Sequence, residues 1–174
     1  SSLEANGRKI PYDIRMGVWV TVEGETDYIR NCFEEYNAHT DPSGRYFTLY
    51  KRWHLIGLEV GVSVASVALR GEPTGVATGW NADVVATAKR DLQPGELLDG
   101  EGGYTVWGKL LPAQHSVQIG GLPLGLAHGI KVVRPVKKGQ SLSWADVAID
   151  TGTHAYKVRR EMEALFAAPL LKAA

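Results

Sequence analysis

"AKRDLQPGELL" (residues 88–98) and "VVRPVKKGQSL" (residues 132–142) align without gaps at an offset of 44. Arg90 matches Arg134, Leu92 matches Val136, Gly95 matches Gly139, Glu96 matches Gln140 and Leu98 matches Leu142. Each copy reads as a strand, a turn containing glycine and a short strand. Pro94-Gly95 suits a type II turn, because Pro fixes φ at the first central residue and Gly accepts positive φ at the second. Lys138-Gly139 takes the same part without the proline. Two copies are too few for a solenoid, so the repeat predicts a small β domain with a pseudo-two-fold axis. "SWADV" (143–147), just after the second copy, reads as a single helical turn capped by Ser143.

Upstream the texture differs. "MGVWVTVEG" (16–24) alternates Val18, Val20 and Val22 with Trp19 and Thr21, the period of a strand. "ETDYIRNCFEEY" (25–36) spaces Tyr28, Ile29, Cys32, Phe33 and Tyr36 by three and four, the period of an amphipathic helix with Thr26 or Glu25 at its start. "AHTDPSG" then breaks the chain at Asp41-Pro42 and Gly44. Residues 45–51 read as extended, and "HLIGLEVGVSVASVAL" (54–69) as a buried helix, with its valines keeping a strand as the rival. Gly57, Gly61 and Ala65 stand four apart on one face of that helix, and Gly71 followed by Pro73 predicts its stop. "GEPTGVATGWNAD" (71–83) is the Gly/Pro-rich boundary, and "AYKVRREMEALF" (155–166) has the pattern of a terminal amphipathic helix.

The totals exclude several classes. Of 174 residues 44% are apolar and 22% charged, with 19 basic side chains against 19 acidic ones, so no global field invites nucleic acid. The apolar run 55–69 is too short to span a bilayer, so no membrane role is expected. Cys32 is the only cysteine; a reducing cytoplasm is the expected compartment. Neither an initiator Met nor a targeting pattern opens the chain.

"VVATAKRDLQPGELLDGE" (84–101) and "LPLGLAHGIKVVRPVKKGQSLSWADVAID" (122–150) resemble the SAF domain, the β-clip module related to antifreeze proteins. With "DPSGRYFTLYKRWHLIGLEVGVSVASVALRGEPTG" (41–75) and "GEGGYTVWGKLLPA", the chain is similar over residues 17–168 to the C-terminal part of homoserine-dehydrogenase-like NAD(P)-dependent oxidoreductases. That family includes enzymes like 1-deoxy-D-xylulose 5-phosphate reductoisomerase. The resemblance implies an α+β chain: a partial α/β catalytic-domain segment (1–82), a small all-β SAF domain (83–152), and a C-terminal helix and tail (153–174).

It further implies a small anionic sugar-like substrate, phosphorylated or carboxylated, and a homo-oligomer. NAD or NADP would belong to the complete enzyme, held by a Rossmann domain or subunit outside this sequence. No G-x-G-x-x-G stands between a strand and a helix here, and "DGEGGYTVWG" has no helical pattern after it, so Gly100, Gly102 and Gly103 are expected to be turn residues. The alternative is a stand-alone SAF-type carbohydrate-binding or assembly module without catalysis.

In the family reading "GRYFTLYKRWHL" (44–55) borders the substrate cavity. Arg45, Lys51 and Arg52 would hold the anion, Tyr46 and Tyr50 would donate to the same oxygens, and His54 would move a proton. The same stretch also reads as a surface loop whose basic stems lie over a core helix, with His54 as a cap. Glu59 inside the apolar helix needs a reason: an ion pair with Arg52 or Arg70, a place facing the missing partner domain, or the part of a catalytic acid. Tyr104, Trp107 and Lys109 are expected in an exposed loop, either closing over a sugar or forming interface core. Ser43 and Ser116 fall in loop-like stretches, and the histidines show no metal-ligand spacing.

Overall fold

The structure, a computed structural model, describes residues 2–11, 13, 17–53 and 55–172, with side chains as far as residue 166. It is α+β, with four α-helices and several small antiparallel sheets, and divides into two compact units. Residues 14–75 form one unit; residues 1–13 and 76–174 form the other.

In the first unit β1 (Val18–Glu23) and β2 (Tyr46–Lys51) make an antiparallel ribbon, with Val18 opposite Lys51 and Glu23 opposite Tyr46. Between them runs α1 (Asp27–Glu35). It starts where the Thr26 hydroxyl accepts from the Ile29 amide, and it stops as Asn37 enters positive φ. Phe33 of α1 packs on Phe47 of β2, ring centroids 5.4 Å apart. α2 (Ile56–Arg70) ends at Gly71, whose φ of 66° is the left-handed cap expected from the sequence.

α2 is not buried. Its polar line, Glu59 and Ser66, is the better covered side, while Leu58 and Leu69 are 79% and 84% exposed. An added Cβ at Gly57 or Gly61 would meet nothing within 4 Å. The expectation of a buried helix fails here because burial depends on what packs against the helix, not on its own hydropathy.

The second unit is the β-clip. β3 (Ala82–Ala88) pairs antiparallel with β5 (Val106–Pro112); β4 (Leu97–Asp99), β6 (His128–Val132) and β7 (Val147–Ala148) form a second small sheet. The two repeat copies meet at the predicted pseudo-two-fold axis. Leu92 and Val136 exchange both backbone hydrogen bonds, and around them equivalent bonds recur in pairs. The Gly95 amide donates to the Val132 carbonyl and the Gly139 amide to the Ala88 carbonyl, both at 2.8 Å. Glu96 and Gln140 each accept a backbone N–H from three residues upstream, Gln93 and Lys137. Gly95 and Gly139 have φ of 94° and 82°, the conformation their turns require. Beneath lies the core: Leu92, Leu98, Leu122, Val132, Val136 and Leu142 are buried with Val106 and Val147. Each fully buried Leu or Val contributes about 1.5–3 kcal/mol.

Two elements differ from expectation. Residues 106–112 are strand β5, not loop, although Tyr104 just before it and Trp107 within it are partly exposed. Ser116 lies in a helix, α3 (Ala113–Ile119), bounded by Pro112 and the left-handed Gly120. That punctuation is present in the sequence, but the segment is too short for its period to register. The 143–147 turn is present: the Asp146 carboxylate accepts from both the Ser143 amide (2.8 Å) and its hydroxyl (2.7 Å).

The C-terminal helix, α4 (His154–Lys172), is fixed to β3 by a charged cluster. Arg159 donates to both Asp83 oxygens (3.0 and 2.6 Å) and through Nε to Glu163 (2.8 Å), and it stacks 4.7 Å over Trp80. Ser116 completes the cluster by donating to Asp83 at 2.6 Å. Burial pushes the Asp83 carboxyl up, but Arg159 and Ser116 override it and hold it below its ordinary value.

Candidate substrate-binding face

Side chains alternate along the ribbon, so Trp19, Thr21 and Glu23 share a face with Tyr46, Thr48 and Tyr50. Trp19 stands opposite Tyr50, ring centroids 6.5 Å apart, and both rings are half-exposed. Gly17 makes room for that pair: a Cβ there would lie 2.6 Å from the Tyr50 ring. Thr21 and Thr48 hydrogen-bond at 3.0 Å in the middle of the face. At the far end Arg45 binds Glu23, with Nε 2.6 Å from Oε1, and its guanidinium lies 5.7 Å from the Tyr46 ring centroid. The hydrogen bond that Arg45 donates to Glu23 holds the Arg45 pKa above its ordinary value.

The loop before β2 sets this end. Asp41 accepts from the Ser43 amide and hydroxyl and from the amides of Arg45 (3.1 Å) and Tyr46 (2.9 Å). The Ser43 hydroxyl is the largest cause of the lowered Asp41 pKa, so its carboxylate stays charged at neutral pH. From the sequence, Asp41-Pro42 reads as a chain break. The signal for more was an aspartate with backbone donors two to five residues downstream, the pattern of an Asx-type turn.

Five of the six expected residues lie among the described ones. Tyr46 and Tyr50 share the exposed face, with Arg45 at one end. Lys51 is on the opposite face and forms an ion pair with Glu59 of α2, where Arg52 or Arg70 was expected. Arg52 follows β2 directly, at the end where Tyr50 meets Trp19, and lies 5.0 Å over the Trp53 ring. Among the described residues it has no carboxylate partner, unlike Arg45 and Lys51. His54 lies outside the described residues. Glu23 and Trp19 reach the face through the ribbon register, and Asp41 reaches its end through the loop geometry.

A nicotinamide dinucleotide does not fit the glycine-rich run of this chain. Gly100 and Gly102 have positive φ, and β5 rather than a helix follows. The backbone donors that would cradle a phosphate are taken: Asp99 accepts from the amides of Tyr104 (2.6 Å) and Thr105 (3.1 Å) and from the Thr105 hydroxyl. A Cβ at Gly103 would overlap the same carboxyl. Burial raises the Asp99 pKa, and these hydrogen bonds, led by the Thr105 hydroxyl, bring it below its ordinary value. Among the described residues no group of three or more His, Cys, Asp or Glu side chains is placed to hold a metal. No described helix is long and apolar enough to cross a membrane.

Comparison with known families places both halves. Residues 83–148 match the SAF domain family, so the chain contains a SAF domain. Residues 4–60 match the catalytic domain of oxidoreductase DRL. In this order on one chain, the two matches fit a segment of an oxidoreductase. No curated protein matches the chain.

Proposed function

We propose that this chain is the substrate-binding and assembly segment of a homoserine-dehydrogenase-like, NAD(P)-dependent oxidoreductase of the reducing cytoplasm. NAD or NADP would be held by a Rossmann part outside this sequence, and the SAF domain would pair subunits in a homo-oligomer. The observation that carries the reading is the catalytic-domain match directly upstream of a SAF domain. The open apolar surface of α2 supports it, since a helix apolar nearly all round is stable only when packed inside a larger body.

The substrate is a phosphorylated or carboxylated sugar-like molecule, bound on the ribbon face. Arg52 takes its anionic group, because the charges of Arg45 and Lys51 already face Glu23 and Glu59. Tyr46 and Tyr50 donate to substrate hydroxyls, and the Trp19 and Tyr50 rings offer apolar area to the sugar. His54 is the proton-transferring group of this reading. The nicotinamide supplies or accepts the hydride when bound; the residues of this chain hold and orient the substrate.

The test is to isolate the natural product carrying this SAF domain and assay it with NADH and NADPH against phosphorylated and carboxylated ketoses. Turnover with either cofactor is expected. Losing a charge-assisted bond of about 1.5–3 kcal/mol, Arg52→Ala is expected to raise KM by roughly ten- to a hundredfold with kcat little changed. Sugar binding by a natural product that never turns over nicotinamide would overturn the enzyme and leave a carbohydrate-binding module.

A further inference from the structure

The first residues of the chain fold onto the β-clip, although the catalytic-domain match begins at residue 4. Ser2–Ile10 form a small hairpin: Leu3 bridges Lys9, the Glu4 amide donates to the Arg8 carbonyl (2.8 Å) and the Ile10 amide to the Ser2 carbonyl (3.1 Å). Two contacts seat it on the glycine loop. The buried Ser2 hydroxyl donates to the Gly102 carbonyl at 2.8 Å. Lys89 donates to two carbonyls at once, Leu3 in the hairpin and Gly103 in the loop. Asp99 holds the loop from its other side through the Tyr104 and Thr105 amides.

The internal repeat shows that the β-clip fold itself does not demand this lysine. The equivalent position in the second copy is Val133, and its backbone does the same work: the amides of Lys89 and Val133 donate to the carbonyls of Thr105 (2.9 Å) and Asp146 (2.8 Å). The side chain of Val133 is partly exposed. Where the symmetry is broken, a cation replaces an apolar residue, and only that copy carries a strap. The chain also passes between the two units twice, after residue 13 and after residue 75.

We propose that Ser2–Ile10 is a releasable strap that Lys89 pins to the glycine loop of the β-clip at Gly102 and Gly103. Seated, it occupies the Lys89 ammonium and the Gly102 and Gly103 carbonyls. Released, it frees those groups to solvent. This device is independent of which substrate the oxidoreductase takes.

Hydrogen exchange read by mass spectrometry on the whole chain tests it, with Lys89→Val importing the residue of the symmetric position. The amides of Glu4 and Ile10 are expected to be protected in the wild type and to exchange at least about tenfold faster in the variant. Leu92 and Val136 should stay protected in both. Lys89→Arg should restore the strap. Ser2→Ala lies outside the core and should loosen the same amides by a smaller factor, so the test stands even if Lys89→Val misfolds. Strap amides that are unprotected in the wild type, or equally protected in Lys89→Val, would overturn the proposal.

Discussion

Leu92 and Val136 accept each other's backbone N–H across the pseudo-two-fold axis of the β-clip, at 2.8 and 3.1 Å. They are 44 positions apart in the repeat and occupy the same place in each copy. Their side chains are buried in one shared core, to which both copies contribute.

The first prediction follows from that closure. Leu92→Ala is expected to destabilise the β-clip by about 3 kcal/mol, the cost of lost burial plus the residual cavity. Urea unfolding of the chain measures it. A change below about 1 kcal/mol, the size of an exposed substitution, would mean that the copies do not share one core.

Asp83 and Arg159 give a pH-dependent prediction. The carboxyl is 7% exposed and the guanidinium 12%, so Asp83→Ala, which leaves the buried Arg159 with Glu163 alone, should cost up to about 3 kcal/mol at neutral pH. The folded Asp83 pKa is below its ordinary 3.8, so its contribution is fully present above that value and is lost as pH falls through the folded pKa. The gap between wild type and variant should therefore close in acid below about pH 3.8. Denaturation at pH 7 and pH 3 compares them, and a gap of equal size at both would refute the ion pair.

Lys51 and Glu59 are predicted to behave differently. Their side chains are 63% and 34% exposed, so solvent screens the pair. Glu59→Gln should shift stability by less than about 1 kcal/mol. Thermal unfolding in low and high salt reads the effect, and a larger loss would show that α2 depends on this contact.

The open face of α2 predicts that the chain in isolation binds hydrophobic dyes such as ANS and associates as concentration rises. Replacing exposed Leu58 and Leu69 by Glu should reduce both. Dye fluorescence and light scattering, unchanged by the double substitution, would show that the face is covered.

Much of the local structure was legible in the sequence. Period-two alternation marked Val18–Val22, three-and-four spacing marked the helix from Tyr28 to Tyr36, and Gly71 marked the end of α2. The candidate site was only half legible. Aromatic and basic residues at 45–52 identified the right strand, but Glu23, Trp19 and Asp41 reach that strand through register and an Asx-type turn. A list of residue types carries neither.

By itself the sequence determined where the chain turns and which segments repeat, because φ preferences at Gly95, Gly139 and Gly71 and the spacing of apolar side chains act over a few residues. Only the tertiary structure decided that Leu92 pairs with Val136, that Ser116 and Arg159 converge on Asp83, that Glu59 binds Lys51, and that α2 lies open. Those outcomes depend on which distant surfaces meet. The same apolar helix is a core element or an exposed one according to what packs against it, and no local pattern encodes the partner.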